Sequence, residues 1–356
     1  MRMIMWALLG FAMPAAASDM AIQVYPPQPM VEPTAMGQAV NLDFEIINKG
    51  QETLTLSAIR AAVRSPDGAI LQRLEVNDNG SAPGIETVPV RSWKPGEAHT
   101  LYNPFHILRP DLLLGRITFE FLFKDKNKKE ISEQVTVEPR PYQQKVRLLL
   151  PLQGRVLVWD GHDFYSHHRR WNFSHPMIKQ LGLLTNPARY SLDLVIVDGD
   201  GRFHSGDREK PENYPSFGAT VVAPGDGTVV AAVGDSPNEP AEPNKAAFER
   251  SPMFAIYGNY IVIDHGNGEF SQLGHLKQAS VRVKVGERVQ RGQPIALAGR
   301  SGTSLFPHLH YQLTTTAGVD GEGLPARFEG LGKVSGKTAD PAHSHWIDTG
   351  DIVETR

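Results

Sequence analysis

The stretch LFPHLHYQL, residues 305–313, has the composition of an apolar β-strand, but it carries two histidines. Side chains two residues apart on a strand point to the same face, so His308 and His310 lie side by side while Leu309 turns away. Imidazoles on a buried face need partners, because an unpaired buried polar group is costly. The pair is therefore a candidate for metal binding or catalysis, although an HxH pattern also occurs as two ordinary polar residues of a strand.

A carboxylate inside a second apolar strand is the next candidate. Asp193 lies in RYSLDLVIVD, residues 189–198, on the face that it shares with Ser191, Val195 and Val197. Carboxylates are rarely buried without a partner, and a cation is the most direct one.

The third candidate is His275, which precedes a hairpin within FSQLGHLKQASVRVKVGERVQRGQPIALAG, residues 270–299. Taken alone, this hairpin resembles those of biotinyl and lipoyl carriers, but the exposed lysine turn of those carriers is missing. Two segments between the strands, 198–218 and 234–252, are rich in Gly, Pro, Asn and charge and are predicted to be loops. Long loops on a β scaffold commonly form the walls of a binding site.

These motifs follow one another in a recognisable order. After the strand with Asp193 come APGDGTVVAAV (223–233), YGNYIVIDHGNG (257–268), GHL (274–276), VKVGERVQRGQPIALAGRSGTS (283–304) and PHLHYQL (307–313). This succession, over about residues 190–315, resembles the lysostaphin/LytM-type zinc metallopeptidases, which cleave peptide bonds in bacterial peptidoglycan. The resemblance implies a compact antiparallel β domain, a barrel-sandwich of the duplicated-hybrid-motif kind, with zinc in a narrow groove. It also implies that Asp193 and His310 bind the metal and that His275 and His308 are catalytic without being ligands.

The sequence departs from the family pattern at one metal ligand. The usual motif has a histidine four residues before the aspartate, and here that position is Arg189. We expect the missing histidine to come from GHDFYSHHRRWNFSH, residues 161–175, which contains His162, His167, His168 and His175. We favour His168, with His167 as the alternative. Without a ligand from this segment the site would have two protein ligands and would be inactive. Arg189 itself could form an ion pair near Asp193 or hold a substrate carboxylate.

The first half of the chain alternates with period two. Apolar residues occupy every second position in AVNLDFEIIN (39–48) and ITFEFLF (117–123), and turn signals separate such segments. The pattern predicts an immunoglobulin-like β-sandwich over residues 18–140 and a Pro-rich linker at 137–145. The predicted fold class is thus all-β, with a metallopeptidase domain over residues 141–335 and a C-terminal tail at 336–356.

The first 17 residues have the features of a signal peptide, with a basic residue, a short apolar run and an Ala-rich end. The apolar run is too short to span a bilayer, and no later stretch is long enough to do so. We therefore expect an exported protein, periplasmic or extracellular, without a membrane span in the mature chain. A formal charge of −3 argues against nucleic acid as a partner, and the absence of cysteine excludes disulfides and a lipid-attachment cysteine.

The leading hypothesis is a zinc endopeptidase that hydrolyses peptidoglycan cross-links with a metal-activated water. The N-terminal domain would position peptide stems of the wall or bind another cell-wall protein. The chain lacks the HExxH motif, so the base is not a helical glutamate. The alternatives are an inactive relative that binds and activates a cell-wall amidase, and a β adhesion or carbohydrate-binding protein without metal.

Overall fold

The chain folds mainly into β-strands, which follow the alternating and apolar segments of the sequence. The computed structural model describes residues 19–355 except 35, 173–174, 176–177, 180–182, 184, 241–243, 336–337 and 341–345. The predicted signal peptide at 1–17 lies outside the described residues. Short α-helices occur at Lys245–Arg250 and Pro252–Tyr257, and 3₁₀ turns occur at Gly84–Thr87 and Pro211–Asn213. The predicted all-β class is confirmed.

The N-terminal part contains strands, most of which contribute to one apolar core. They are β1 (Met20–Tyr25), β2 (Met30–Pro33), β3 (Gln38–Val40), β4 (Asp43–Asn48), β5 (Leu54–Arg64), β6 (Ile70–Asn77), β7 (Ser92–Trp93), β8 (Ala98–Tyr102), β9 (Ile107–Leu108), β10 (Arg116–Lys124), β11 (Glu130–Val137) and β12 (Arg140–Pro141). One sheet has the order β1-β4-β8, and a second has β11-β10-β5-β6 with β7 beside β5. Phe44 of the first sheet contacts Phe119 and Phe121 of the second, each with ring centroids 4.9 Å apart. The two sheets therefore pack face to face, while the immunoglobulin-like topology stays a prediction.

The rest of the chain forms a second core, and most of its strands join one large sheet. Its strands are β13 (Leu148–Leu149), β14 (Arg155–Asp160), β15 (Leu192–Ile196), β16 (Thr220–Val222), β17 (Gly227–Val233), β18 (Tyr260–Asp264), β19 (Phe270–Gly274), β20 (Arg288–Val289), β21 (Pro294–Leu297), β22 (Leu309–Thr314), β23 (Gly323–Leu324), β24 (Phe328–Glu329), β25 (Leu331–Ser335), β26 (Thr338–Asp340) and β27 (Ile352–Thr355). The large sheet has the order β20-β17-β18-β19-β22-β15-β14-β27-β25-β26, with β23 beside β22. β15, β19 and β22 lie at its centre, and Asp193 and His310 belong to β15 and β22.

Several predicted loops and tails are more ordered than expected. The linker at 137–145 contains β12, and Tyr142 in it donates a hydrogen bond to Glu269 Oε1 at 2.7 Å. The predicted tail at 336–356 contributes β27, which pairs with β14 in the large sheet. The segment 234–252, predicted as a loop, contains the helix Lys245–Arg250, which Asn244 caps by accepting a hydrogen bond from the backbone of Ala247. The polar cap stabilises the short helix. The tail pairs with β14 because an unpaired strand edge leaves backbone groups without partners.

Among the described residues, every helix falls short of the length and apolarity that crossing a membrane would require.

Candidate metal centre

Neighbouring strands of the large sheet bring the strand-borne candidates together. β15 runs antiparallel to β22 with Asp193 opposite His310, and β19 pairs with β22 with Gly274 opposite His310. Residues that face each other across antiparallel strands have their Cβ atoms about 4.5–5.5 Å apart. The carboxylate and the imidazole therefore meet through strand register alone. His275 follows Gly274 directly and reaches the same place.

His168, Asp193 and His310 offer ligand atoms that all lie within 4.8 Å of one another. Oδ1 of Asp193 is 3.1 Å from Nδ1 of His310 and 3.5 Å from Nε2 of His168. All three side chains are buried, and Asp193 is only 3% exposed. Two imidazole nitrogens and one carboxylate form a donor set that suits Zn²⁺ and leaves a fourth position for water. The donor set of these residues therefore fits a zinc ion.

The second ring nitrogen of each histidine of this cluster lies close to a polar side chain. Nδ1 of His168 lies 2.9 Å from Oδ2 of Asp160, and Nε2 of His310 lies 3.0 Å from Oε1 of Gln312. Partners of this kind fix the tautomer and orientation of a metal-binding histidine. Asp160 and Gln312 thus point the remaining nitrogen of each ring toward Asp193.

His275 and His308 are oriented by backbone carbonyl groups. Nδ1 of His275 lies 2.8 Å from the carbonyl oxygen of Ser301, and Nδ1 of His308 lies 2.8 Å from that of Phe306. A neutral ring that donates through Nδ1 keeps Nε2 as an acceptor. The two rings are 4.8 Å apart, and Nε2 of His308 is 3.3 Å from Oδ1 of Asp193. The Nε2 atoms of both rings can therefore accept a proton beside the cluster.

The backbone at His275 is strained. Its φ of +58° lies in the left-handed region, which residues other than glycine seldom adopt. Such a conformation costs about 1–3 kcal/mol and persists where the surroundings enforce it. Here the N–H of His275 donates to the carbonyl of Tyr257, and its own carbonyl accepts from the N–H of Gly299, both at 3.0 Å.

Burial and mutual contact set the charges in the cluster. Burial alone would raise the pKa of Asp193, but the imidazoles of His308 and His168 outweigh it and hold this pKa well below its usual range. Burial lowers the pKa of His168, and burial with the neighbouring His308 and His310 lowers that of His275. Burial also disfavours charge on His308, but the carboxylate of Asp193 outweighs it and raises the pKa of His308. Asp193 is thus ionised and His168 neutral, which are the metal-binding forms.

Two of the four upstream histidines reach the cluster. His168 is buried within it, whereas the side chain of His167 is 62% exposed. Nδ1 of His167 lies 3.0 Å from Oδ2 of Asp160, and its Nε2 lies 3.9 Å from Oδ2 of Asp193. The structure therefore brings both favoured candidates to the site, with His168 the more enclosed, and the choice between them as ligand stays a prediction.

The other upstream candidates and Arg189 lie apart from the metal cluster. His162 pairs with Glu32 of the N-terminal domain at 2.9 Å. Neither His162 nor His175 belongs to a candidate metal cluster within the described part of the chain. Arg189 is fully buried and its guanidinium pairs with Asp43, also of the N-terminal domain. An ion pair within the protein thus accounts for Arg189.

A cleft of about 620 Å³ opens at the metal cluster. Its remaining walls are largely apolar and include Trp159, Trp171, Phe248, Ile256, Leu305 and Phe306. Phe248 comes from the segment 234–252, and Phe203 of the segment 198–218 packs on Phe306 with ring centroids 5.6 Å apart. The segment 234–252 therefore contributes to the wall, whereas the segment 198–218 supports a wall residue from behind.

The sequence interpretation missed Asp160, Gln312 and Tyr257. The ring of Tyr257 stacks on His310 at 4.9 Å, and its hydroxyl donates to Oε1 of Gln312 at 3.1 Å. Gln312 could have been found, because it follows His310 by two residues and so shares its face. No comparable signal connects Asp160 with His168, since the intervening turn has no regular period.

Comparison with known proteins agrees with this geometry. Residues 213–321 match the family model described as Peptidase family M23. This match confirms the predicted resemblance to the lysostaphin/LytM-type metallopeptidases. Asp193 and His168 precede the matched residues, so the family match does not extend to either of them.

Several similar curated proteins have names that refer to peptidoglycan or murein. Peptidoglycan DD-endopeptidase ShyA of Vibrio cholerae is 39% identical over 92 residues, which are 26% of this chain and 20% of that protein. Murein hydrolase activator EnvC of Escherichia coli is 42% identical over 57 residues, which are 16% of this chain and 13% of that protein. The chain spans only about a fifth of the length of the first curated relatives that it matches.

Among solved structures, the catalytic domain of lysostaphin from Staphylococcus simulans matches 38% of this chain and 74% of its own, with 20% identity and a TM-score of 0.25.

Proposed function

We propose that the protein is a zinc-dependent endopeptidase that hydrolyses peptide bonds in peptidoglycan cross-links outside the cytoplasmic membrane. The observation that carries this proposal is the buried group of His168, Asp193 and His310 with two further imidazoles beside it. The M23 match and the similarity to a peptidoglycan endopeptidase support the choice of substrate.

In the proposed mechanism, His168, Asp193 and His310 would hold a zinc ion, and the cleft would hold an extended peptide. A bound Zn²⁺ lowers the pKa of a coordinated water to about 7 and polarises the scissile carbonyl. His275 and His308 supply the proton chemistry, because each presents an Nε2 beside the cluster. One such ring accepts the proton of the attacking water, and a protonated ring donates to the leaving amine or to the developing oxyanion.

The test is hydrolysis of cross-linked muropeptides by the purified mature protein. New amino termini are expected with the zinc-loaded protein, and removing the metal with a chelator should abolish them. Asp193→Ala is the matched control, since it lacks the charged ligand. Zinc-loaded protein that releases no amino termini from any cross-link would overturn the proposed activity.

The similarity to a murein hydrolase activator favours a second candidate, a binding protein that activates a cell-wall amidase. This alternative predicts that the protein stimulates a purified amidase and that Asp193→Ala stimulates it equally well. The presence of Asp193 and five histidines around one cleft favours the enzyme.

A further inference from the structure

The segment that carries His168 is held by the N-terminal domain. Arg169 directly follows His168, and its side chain is fully buried. Its guanidinium donates to three consecutive residues that lead into β4: to Oδ1 of Asn41 at 3.2 Å, to the carbonyl of Leu42 at 3.0 Å, and to Oδ1 of Asp43 at 2.7 Å. Every donor nitrogen of Arg169 thus has an acceptor in the other domain.

Asp43 connects this segment to the strand that carries Asp193. Its second oxygen accepts from Nη1 of Arg189, which precedes Asp193 by four residues. Nε of Arg189 in turn donates to Oε1 of Glu322 at 2.6 Å. Two arginines and two carboxylates therefore alternate in a network in which Asp43 is the shared acceptor. Buried charges are tolerated only when paired, and removing one partner leaves the others uncompensated.

The backbone of His168 is fixed to the same network from its other side. Nδ2 of Asn186 donates to the carbonyl oxygen of His168 at 2.8 Å, and Oδ1 of Asn186 accepts from the N–H of Ala188, one residue before Arg189. The turn before β15 and the segment of His168 are thus joined twice, once through Asn186 and once through Asp43.

We infer that Asp43 is a positioning residue for the metal site, and that the N-terminal domain completes this site by holding His168 in place through Arg169. The inference rests on the proposed function, because it assumes that His168 binds zinc. It also accounts for the departure at Arg189: the position that carries a histidine ligand in the usual motif here joins the two domains, and the ligand comes from the segment that this junction holds.

The network does not act equally on the three ligands. Asp193 and His310 are held by strand register, whereas Asp43 contacts Arg189 in the turn before β15 and neither of the two strands. Loss of the Asp43 carboxylate should therefore release His168 alone and weaken zinc binding without abolishing it. Excess zinc should then restore the site, because all three ligands are still present.

The experiment measures the zinc dissociation constant of the full chain by competition with a chromogenic chelator. Asp43→Asn, which keeps the shape of the side chain and removes its charge, is expected to weaken binding by roughly 10–100-fold, the range seen for partners of metal ligands. Saturating zinc should return kcat to the wild-type value. The matched control is Glu45→Gln on the same strand, because Glu45 pairs across the interface with Lys179 at 2.5 Å. This control should keep wild-type affinity.

A folded Asp43→Asn protein with unchanged zinc affinity would overturn the inference, and so would an equal loss in Glu45→Gln. If Asp43→Asn fails to fold, Asn41→Ala tests the inference instead. This variant removes one acceptor of Arg169 without leaving a charge unpaired. Weaker zinc binding in Asn41→Ala supports the inference, and unchanged binding refutes it. Wild-type protein that binds no zinc would refute the proposed function and this inference together. If the wild-type protein binds zinc, an unchanged affinity in the variant refutes this inference alone.

Discussion

The two sides of the candidate metal centre are built by different means. On one side, Asp193 and His310 face each other across adjacent strands of the large sheet. On the other, His168 lies in an irregular segment whose position depends on contacts with Asp160, with Asn186 and, through Arg169, with the N-terminal domain. Strand register tolerates local changes, whereas an irregular segment depends on each of its contacts. We therefore expect the second side to be the more sensitive to substitutions outside the ligands.

The largest effect is expected on the strand side. Asp193→Ala or His310→Ala removes a ligand that nothing nearby can replace, so zinc content should fall from about one ion per chain to near zero. Hydrolysis should fall to background. Zinc content of the dialysed proteins is the measurement, and unchanged content in both variants would exclude the proposed metal site.

Substituting the upstream histidines tests whether the ligand from the irregular segment matters as much for zinc binding as the ligands from the strands. His168→Ala should lose zinc almost as completely as His310→Ala, because it removes one of three ligands. His167→Ala should retain the ion, since its exposed ring lies farther from Asp193. Equilibrium dialysis against zinc separates the two, and the reverse result would make His167 the ligand.

The catalytic imidazoles should affect turnover while leaving the metal in place. His308→Ala or His275→Ala is expected to lower kcat by roughly 10²–10⁴-fold, the usual contribution of general acid–base groups, with zinc content unchanged. Paired measurements of zinc content and kcat test this. Loss of the ion in either variant would move that histidine into the set of ligands.

A smaller effect is expected when the partner of His168 is changed. Asp160→Asn removes the charge that fixes the ring, so zinc affinity should fall by roughly 10–100-fold. The comparable change on the strand side is Gln312→Leu, which removes the oxygen beside His310. Because register still holds His310, we expect the weaker loss there; equal losses would contradict the contrast between the two sides.

The interface between the domains should respond to pH through His162. Burial disfavours its charge, but the carboxylates of Glu32 and Asp348 outweigh it and raise the pKa of His162 to about 9, above the unfolded value of about 6.5. Its stabilising contribution is therefore complete below pH 6.5 and is lost as the pH rises through 9, by about 3 kcal/mol. Urea unfolding at pH 6 and pH 9.5 measures this loss, and Glu32→Gln should remove most of it.

Much of the strand side could be predicted because its residues obey a regular period. His308 and His310 share a face by spacing alone, and Asp193 stands out as a carboxylate in an apolar strand. The upstream segment has no period, so the same reasoning left His168 and His167 as alternatives and did not find Asp160. The helix at Lys245–Arg250 was missed because its single capped turn and a half is too short to show a helical repeat.

The amino-acid sequence by itself determined the β class, the residues that share strand faces, and the resemblance to the M23 peptidases, because local alternation and motif order are properties of neighbouring residues. Tertiary structure alone decided which upstream histidine lies nearest Asp193, what Arg189 pairs with, and how the N-terminal domain meets the metal centre. The contacts of Asp43 with Arg169 and Arg189 join residues more than 100 positions apart. Their pairing depends on the burial of opposite charges that only the folded chain brings together.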